Sequence, residues 1–189
     1  MIIEGKEYTK YLFVHIPKTA GQSIFKFIEK DKIDQWVRTA TRRHDSYMQL
    51  SKNNIIGENI FSFAVVRNPY TRAYSCFNQY NKTNKTEISF IEYLNNIKDN
   101  KISVETPLLH LPQYKYVIDD SDNIGVTKLY KFENLKELED DIQDTLSFDN
   151  VGEYDIDSYN KDYTEEAINI VKELYEQDFI RFEYSKDFN

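Results

Sequence analysis

The stretch Tyr11-Leu12-Phe13-Val14-His15-Ile16-Pro17-Lys18-Thr19-Ala20-Gly21-Gln22-Ser23-Ile24 holds three patterns in succession. Tyr11 to Ile16 is an apolar, partly β-branched run halted by Pro17, as in a strand buried on both faces. Past Gly21, the apolar residues Ile24, Phe27 and Ile28 recur at i, i+3 and i+4 against a polar face of Lys26, Glu29 and Lys30, as in a helix with one buried stripe. The residues between form a loop that opens onto a helix N-terminus, where unpaired backbone N–H groups and the positive end of the dipole favour an anion. Lys18 adds a mobile cation, Thr19 and Ser23 add hydroxyls, and Gly21 lets the backbone approach closely.

Outward from this loop the strand-then-helix pattern repeats. Phe61 to Val66 reads as a second strand, and Asn68-Pro69 supplies an N-cap followed by proline at the first helical position. The helix it starts carries Arg72 to about Tyr80, with Tyr70, Tyr74 and Phe77 inward. Asn78 to Glu87 is polar and reads as a loop, and Ser89 to Asn96 as a helix through Phe90, Ile91 and Leu94. Ile124 to Phe132 reads as a strand, followed by a helix with the stripe Leu135, Leu138, Ile142 and Leu146. Thr164 caps a last helix with the stripe Ile168, Val171, Leu174 and Tyr175, reaching Asp178-Phe179. With no internal repeat and no Pro-, Gly- or Ser-rich linker, the expectation is one α/β domain over residues 1–189. It has a central, mostly parallel sheet flanked by helices, with ligands at the carboxyl ends of the strands.

Composition narrows the function. The 189 residues, 40% hydrophobic and 15% aromatic, suffice for a real core. A net charge of -8 and a pI near 5.0 argue against a nucleic-acid binder, which needs a basic face. No stretch approaches the roughly 20 apolar residues of a membrane span, and Met1 to Glu7 lacks the layout of a signal peptide, so a cytoplasmic location is expected. The single cysteine, Cys76, excludes an intramolecular disulfide and a multi-cysteine metal site, and reads as a small buried residue.

The loop is not that of nucleoside triphosphatases, which begins with glycine and ends in Lys-Ser/Thr. Those enzymes also hold Mg²⁺ with an acidic residue at the end of a neighbouring strand, whereas here the strand from Phe61 ends in Arg67. A cation there favours a further anion and disfavours a divalent metal, so metal-independent chemistry is expected. Ser75 follows Arg72 by three residues, one helical turn, so Arg67, Arg72 and Ser75 are candidates to converge on one dianionic phosphate.

The two phrases Phe13 to Ile24 and Phe63-Ala64-Val65-Val66-Arg67-Asn68-Pro69-Tyr70-Thr71-Arg72-Ala73-Tyr74-Ser75 resemble sulfotransferases that use 3'-phosphoadenosine 5'-phosphosulfate (PAPS). The resemblance is to the carbohydrate branch, which includes the heparan sulfate 2-O-sulfotransferases and many short bacterial members. Weaker similarity continues at Leu111-Pro112-Gln113, at Tyr130 to Leu135 and at Tyr175 to Phe179. It implies a P-loop-like sulfotransferase fold. Pro17, Lys18, Thr19, Ala20, Gly21, Gln22 and Ser23 would surround the 5'-phosphosulfate, and Arg67 and Ser75 would hold the 3'-phosphate. Arg72 would brace that second site or salt-bridge locally.

The implied reaction moves a sulfuryl group to an acceptor hydroxyl on a small molecule or saccharide. Lys18 would stabilise charge on the leaving oxygen, and a base would take the hydroxyl proton. His44 lies between the two motifs, where related enzymes carry their catalytic histidine, and is the expected base; Glu58 and His110 are the others. His15 is expected to pack or hydrogen-bond within the first strand. Arg43, with Arg38 and Arg42, either faces the acceptor or lies on an exposed helix face. His110 and Gln113 are candidate acceptor contacts, Gln113 by its place in the family pattern. A small P-loop-type kinase and a nucleotide-binding module without turnover are the alternatives. The segments Asn78 to Glu87 and Ser147 to Lys161 carry no readable chemistry, so the acceptor stays open, as does the oligomeric state.

Overall fold

The computed structural model describes residues 2–3, 6–31, 44–102, 109–142, 145–146 and 156–188. It opens with a short antiparallel hairpin, β1 (Ile2–Ile3) and β2 (Lys6–Glu7), followed by β3 (Lys10–Phe13), α1 (Gly21–Asp31), α2 (Tyr47–Lys52) and β4 (Ile60–Val66). Then come α3 (Pro69–Asn84), α4 (Phe90–Lys98), α5 (Tyr114–Val117), β5 (Lys128–Lys131) and α6 (Lys136–Ile142). The chain ends with α7 (Ile156–Asp162), α8 (Glu165–Leu174) and α9 (Glu176–Arg181). The α/β class is as the sequence predicts. The chain divides into two compact units, Met1–Arg67 with Gln113–Asn150, and Asn68–Pro112 with Val151–Asn189.

Unit 1 is built on a three-stranded parallel sheet in the order β3-β4-β5, with Phe13 opposite Phe63 and Val65 opposite Tyr130. Alternate residues of β4, Phe61, Phe63 and Val65, share one face and form a cluster with Ile24 and Phe27 of α1 and Leu138 and Ile142 of α6. Phe63 stacks on Phe13 at 5.2 Å and meets Tyr130 edge-on at 5.7 Å. Burying one such side chain stabilises by about 1.5–3 kcal/mol. Ser62, on the alternate positions, is the buried polar exception, and its hydroxyl lies 3.1 Å from that of Thr127. At α2, Ser46 and Gln49 form a reciprocal capping box.

Unit 2 is helical and its core is aromatic. Asn68 Oδ1 accepts from the Tyr70 N–H at 2.9 Å with Pro69 behind it, so α3 starts as predicted. Tyr163 donates its hydroxyl to the Tyr70 carbonyl at 2.6 Å and stacks on Phe188 at 4.5 Å. The Tyr70 hydroxyl donates to the Lys186 carbonyl at 2.6 Å, tying the C-terminal residues to the same cluster.

Several element limits differ from the sequence reading. β3 ends at Phe13 instead of Ile16. Val14 N–H still reaches Phe63 O at 2.8 Å, and then the chain turns toward Pro17, which has no N–H to pair. The third strand begins at Lys128, not Ile124, because the residues before it are a tight turn: Asp119 Oδ1 accepts from Ser121 and Asn123, and Ile118 bridges Ile124. The presumed loop from Asn78 is helical to Asn84, since Tyr80 continues the inward stripe, and α3 stops only at Lys85, with φ 53°. α4 runs two residues past Asn96, to Lys98. α6 ends at Ile142, and Leu146 is buried beyond it with its N–H on Glu139. The helix from Thr164 breaks at Tyr175 (φ -119°, ψ 25°), so Asp178 and Phe179 belong to α9. Within the expected loop 147–161, Ile156 onward is helix α7, and 147–155 lie outside the described residues. Among the described residues no helix is long and apolar enough to cross a membrane.

Candidate functional site

The loop between β3 and α1 has an uncommon backbone. Lys18 and Ala20 take φ of 69° and 66°, a left-handed conformation that costs an L-residue about 1–2 kcal/mol. Thr19 between them is 0% exposed, and its Oγ1 donates to Ile16 O at 2.9 Å. Its hydroxyl is therefore a strut of the loop. The Ala20 carbonyl accepts from Ser23 N–H at 3.0 Å and Ile24 N–H at 3.2 Å, so the ladder of α1 starts there and the amides of Gly21 and Gln22 precede its first bond. Successive backbone N–H groups in such a turn form an anion-binding concavity. Lys18 is half-buried, Gln22 exposed and Ser23 buried.

Gly21 is required by a histidine. A Cβ at this position would lie 1.8 Å from His15 Nε2, so the imidazole rests directly against the Gly21 backbone. The same ring meets Phe25 edge-on at 5.2 Å and lies 4.5 Å from the ring of His44. His44 is half-buried, with Nδ1 a long 3.5 Å from the His15 carbonyl. Two histidines, far apart in sequence, thus stand together at the foot of the loop.

Arg67 directly follows the middle strand and is 8% exposed. Its Nη1 donates to the Lys18 carbonyl at 3.3 Å, and its guanidinium lies 4.2 Å over the ring of Phe132. Its backbone is held by Gln113, which is 0% exposed: Oε1 accepts the Arg67 N–H at 2.9 Å and Nε2 donates to the Arg67 carbonyl at 2.8 Å. Within unit 1 the structure therefore brings together Lys18, Arg67 and Gln113, with the Gln113 amide turned to Arg67 and not outward as an acceptor contact.

The remaining candidates lie in unit 2 or elsewhere. Ser75 is half-buried on α3, one turn past Arg72. Arg72, 1% exposed, donates to the carbonyls of Leu111 at 3.1 Å and Leu109 at 3.2 Å, and Cys76 Sγ lies 3.1 Å from Leu109 O. Tyr175 donates to the His110 carbonyl at 3.1 Å, so buried side chains capture the backbone of 109–111 one carbonyl after another. Burial, and then the Arg72 charge, push the His110 imidazole down to about 4, and its Nδ1 lies 3.4 Å from the Tyr93 hydroxyl. Glu58 is exposed ahead of β4. Arg38, Arg42 and Arg43 lie outside the described residues.

Three features escape a reading of the sequence: the aromatic platform of Phe132, the Gln113 clasp and the pairing of His15 with His44. Only the first leaves a signal. Val66 pairs with Lys131, so the residues that follow each, Arg67 and Phe132, emerge side by side once the order of the strands is known. Comparison with protein-family models, with curated proteins and with solved structures gives no match for this chain.

Proposed function

We propose that this chain transfers the sulfuryl group of PAPS to an acceptor hydroxyl, with a saccharide as the first acceptor class. The observation that supports this most is the Arg67 guanidinium donating to the Lys18 carbonyl inside a left-handed loop ahead of α1. It sets a fixed cation and a mobile one beside backbone amides, a donor set that suits a ligand with more than one anionic group. Arg67 at the strand end counts against the kinase alternative, whose metal needs an acid there.

In this reading the loop Pro17 to Ser23 holds the phosphosulfate through the amides of Gly21 and Gln22, and Lys18 lies at the oxygen that leaves with the nucleotide, neutralising its developing charge. Thr19 keeps the loop in shape. Arg67 takes the 3'-phosphate, and Ser75 is assigned to that phosphate by the resemblance alone. PAPS itself supplies the activated sulfuryl group. His44 is the base: with its Nδ1 hydrogen directed at the His15 carbonyl, Nε2 carries the lone pair that accepts the acceptor's proton. Arg43 and His110 are not used in this mechanism, and Gln113 contacts no acceptor in it.

The test is incubation of the purified protein with sulfur-labelled PAPS and fractionated cell extract, with and without EDTA, and identification of the labelled product. Label appearing in an acceptor with EDTA present supports the proposal. Transfer of the γ-phosphate of labelled ATP, with none from PAPS, would favour the kinase. Nucleotide binding without transfer would favour the module without turnover.

A further inference from the structure

Gln113 does for Arg67 what a neighbouring strand does for the residues before it. The β4-β5 ladder ends at Val66, opposite Lys131, and Arg67 is the first residue beyond it. Both of its backbone groups are nevertheless bonded, through the two ends of one side-chain amide, at 2.9 Å and 2.8 Å. A neutral primary amide supplies an acceptor and a donor side by side; a carboxylate only accepts, and a hydrocarbon does neither.

The clasp is itself anchored. The Gln113 carbonyl accepts from Tyr116 N–H at 3.0 Å, and Tyr116 and Val117 of α5 are buried. With the Arg67 backbone gripped on both sides, the direction in which its side chain leaves the sheet is fixed. The guanidinium then reaches the Phe132 ring and the Lys18 carbonyl. A guanidinium held in one orientation discriminates between anions by geometry; one that can swing attracts them all alike.

We infer that Gln113 is a positioning residue that gives Arg67 its selectivity for a nucleotide carrying a 3'-phosphate. This rests on the assignment of the 3'-phosphate to Arg67 made above. Because Gln113 acts through the backbone of Arg67, its loss shows in the choice between ligands more than in the strength with which a 5'-phosphate binds.

Calorimetric titration of the full chain with adenosine 3',5'-bisphosphate and with adenosine 5'-monophosphate tests it. The wild type is expected to prefer the bisphosphate by roughly 10- to 100-fold, as suits charge-assisted hydrogen bonds. Gln113→Met is expected to lose most of that preference while keeping its affinity for the monophosphate. Gln113→Glu should resemble it at about pH 8, where the carboxylate has no donor. At about pH 5.5 a protonated carboxyl again offers O–H and C=O to Arg67, and the preference should return relative to the wild type at the same pH. Should the methionine variant fail to fold, the pH series of the glutamate variant decides alone. A wild type without preference would sink the 3'-phosphate assignment and the inference with it. A wild-type preference that both variants keep, or that the glutamate variant keeps at every pH, would overturn the role of Gln113 and leave the assignment standing.

Discussion

Ala20 has a side chain where the backbone would suit glycine. Its φ of 66° is tolerated because the turn must present Gly21 and Gln22 at the head of α1. Ala20→Gly removes the steric penalty and adds some chain entropy to the unfolded state. The variant should be more stable by about 0.5–1 kcal/mol, read as a higher urea midpoint at unchanged slope. Gly21→Ala should do the opposite, since its Cβ displaces the His15 ring, and with it the neighbour against which His44 rests. Labelled transfer from PAPS should fall sharply in this variant, and Lys18→Ala and His44→Ala should abolish it; full activity in His44→Ala would remove it as the base. Lys18 and Arg67 were readable as candidates because each lies between a strand and the helix that follows it, a local pattern. Gln113 was read as an acceptor contact, and its clasp on Arg67 was not legible, because those bonds join residues 46 positions apart and leave no periodicity to read.

The starts of the helices were the most legible elements. Asn68 with Pro69 and Thr164 cap where the sequence places them, because a cap is chemistry between residues two or three apart, while Ser89, read as the first helical residue, is the cap of α4. Thr164→Ala should cost about 1 kcal/mol in denaturant unfolding, the usual loss when an N-cap oxygen is removed. The ends were less legible. α3 runs through polar Asn78 to Asn84, where its outer face offers solvent nothing apolar, and side chains such as Gln79 and Thr83 bond each other along the helix. It stops at Lys85 in a left-handed C-cap, so Lys85→Gly should raise stability by about 1 kcal/mol. The strand expected from Ile124 failed for a related reason. The loose alternation of Ile124 to Phe132 gives no warning that Asp119 will tie the preceding chain into a turn.

At the scale of the whole molecule, acid should unfold the protein partly through His110. Its pKa is about 4 in the folded state against 6.5 for an ordinary histidine, so between these values the unfolded chain binds a proton that the folded one refuses. Stability is unaffected by this group above about pH 6.5, falls as pH drops from there toward 4, and changes no further below. Replacing His110 by Phe should flatten that limb of the stability profile, measured by denaturant midpoints across the range. The α/β class and the parallel sheet were readable from alternating patterns, whereas the partition into two units was not, because both are interleaved along the chain. That interleaving gives the Gln113 clasp a meaning apart from selectivity. The chain leaves unit 1 after Arg67 and returns to it at Gln113, so one amide closes residues 68–112 into a loop tied at its base. The entropy of closing such a loop grows only with the logarithm of its length, about 0.6 kcal/mol per doubling. Insertions at the exposed turn around Lys85 therefore change the closure entropy little and leave the register of the unit 1 sheet alone, whereas the buried faces of α3 and α4 in the same segment must keep their spacing.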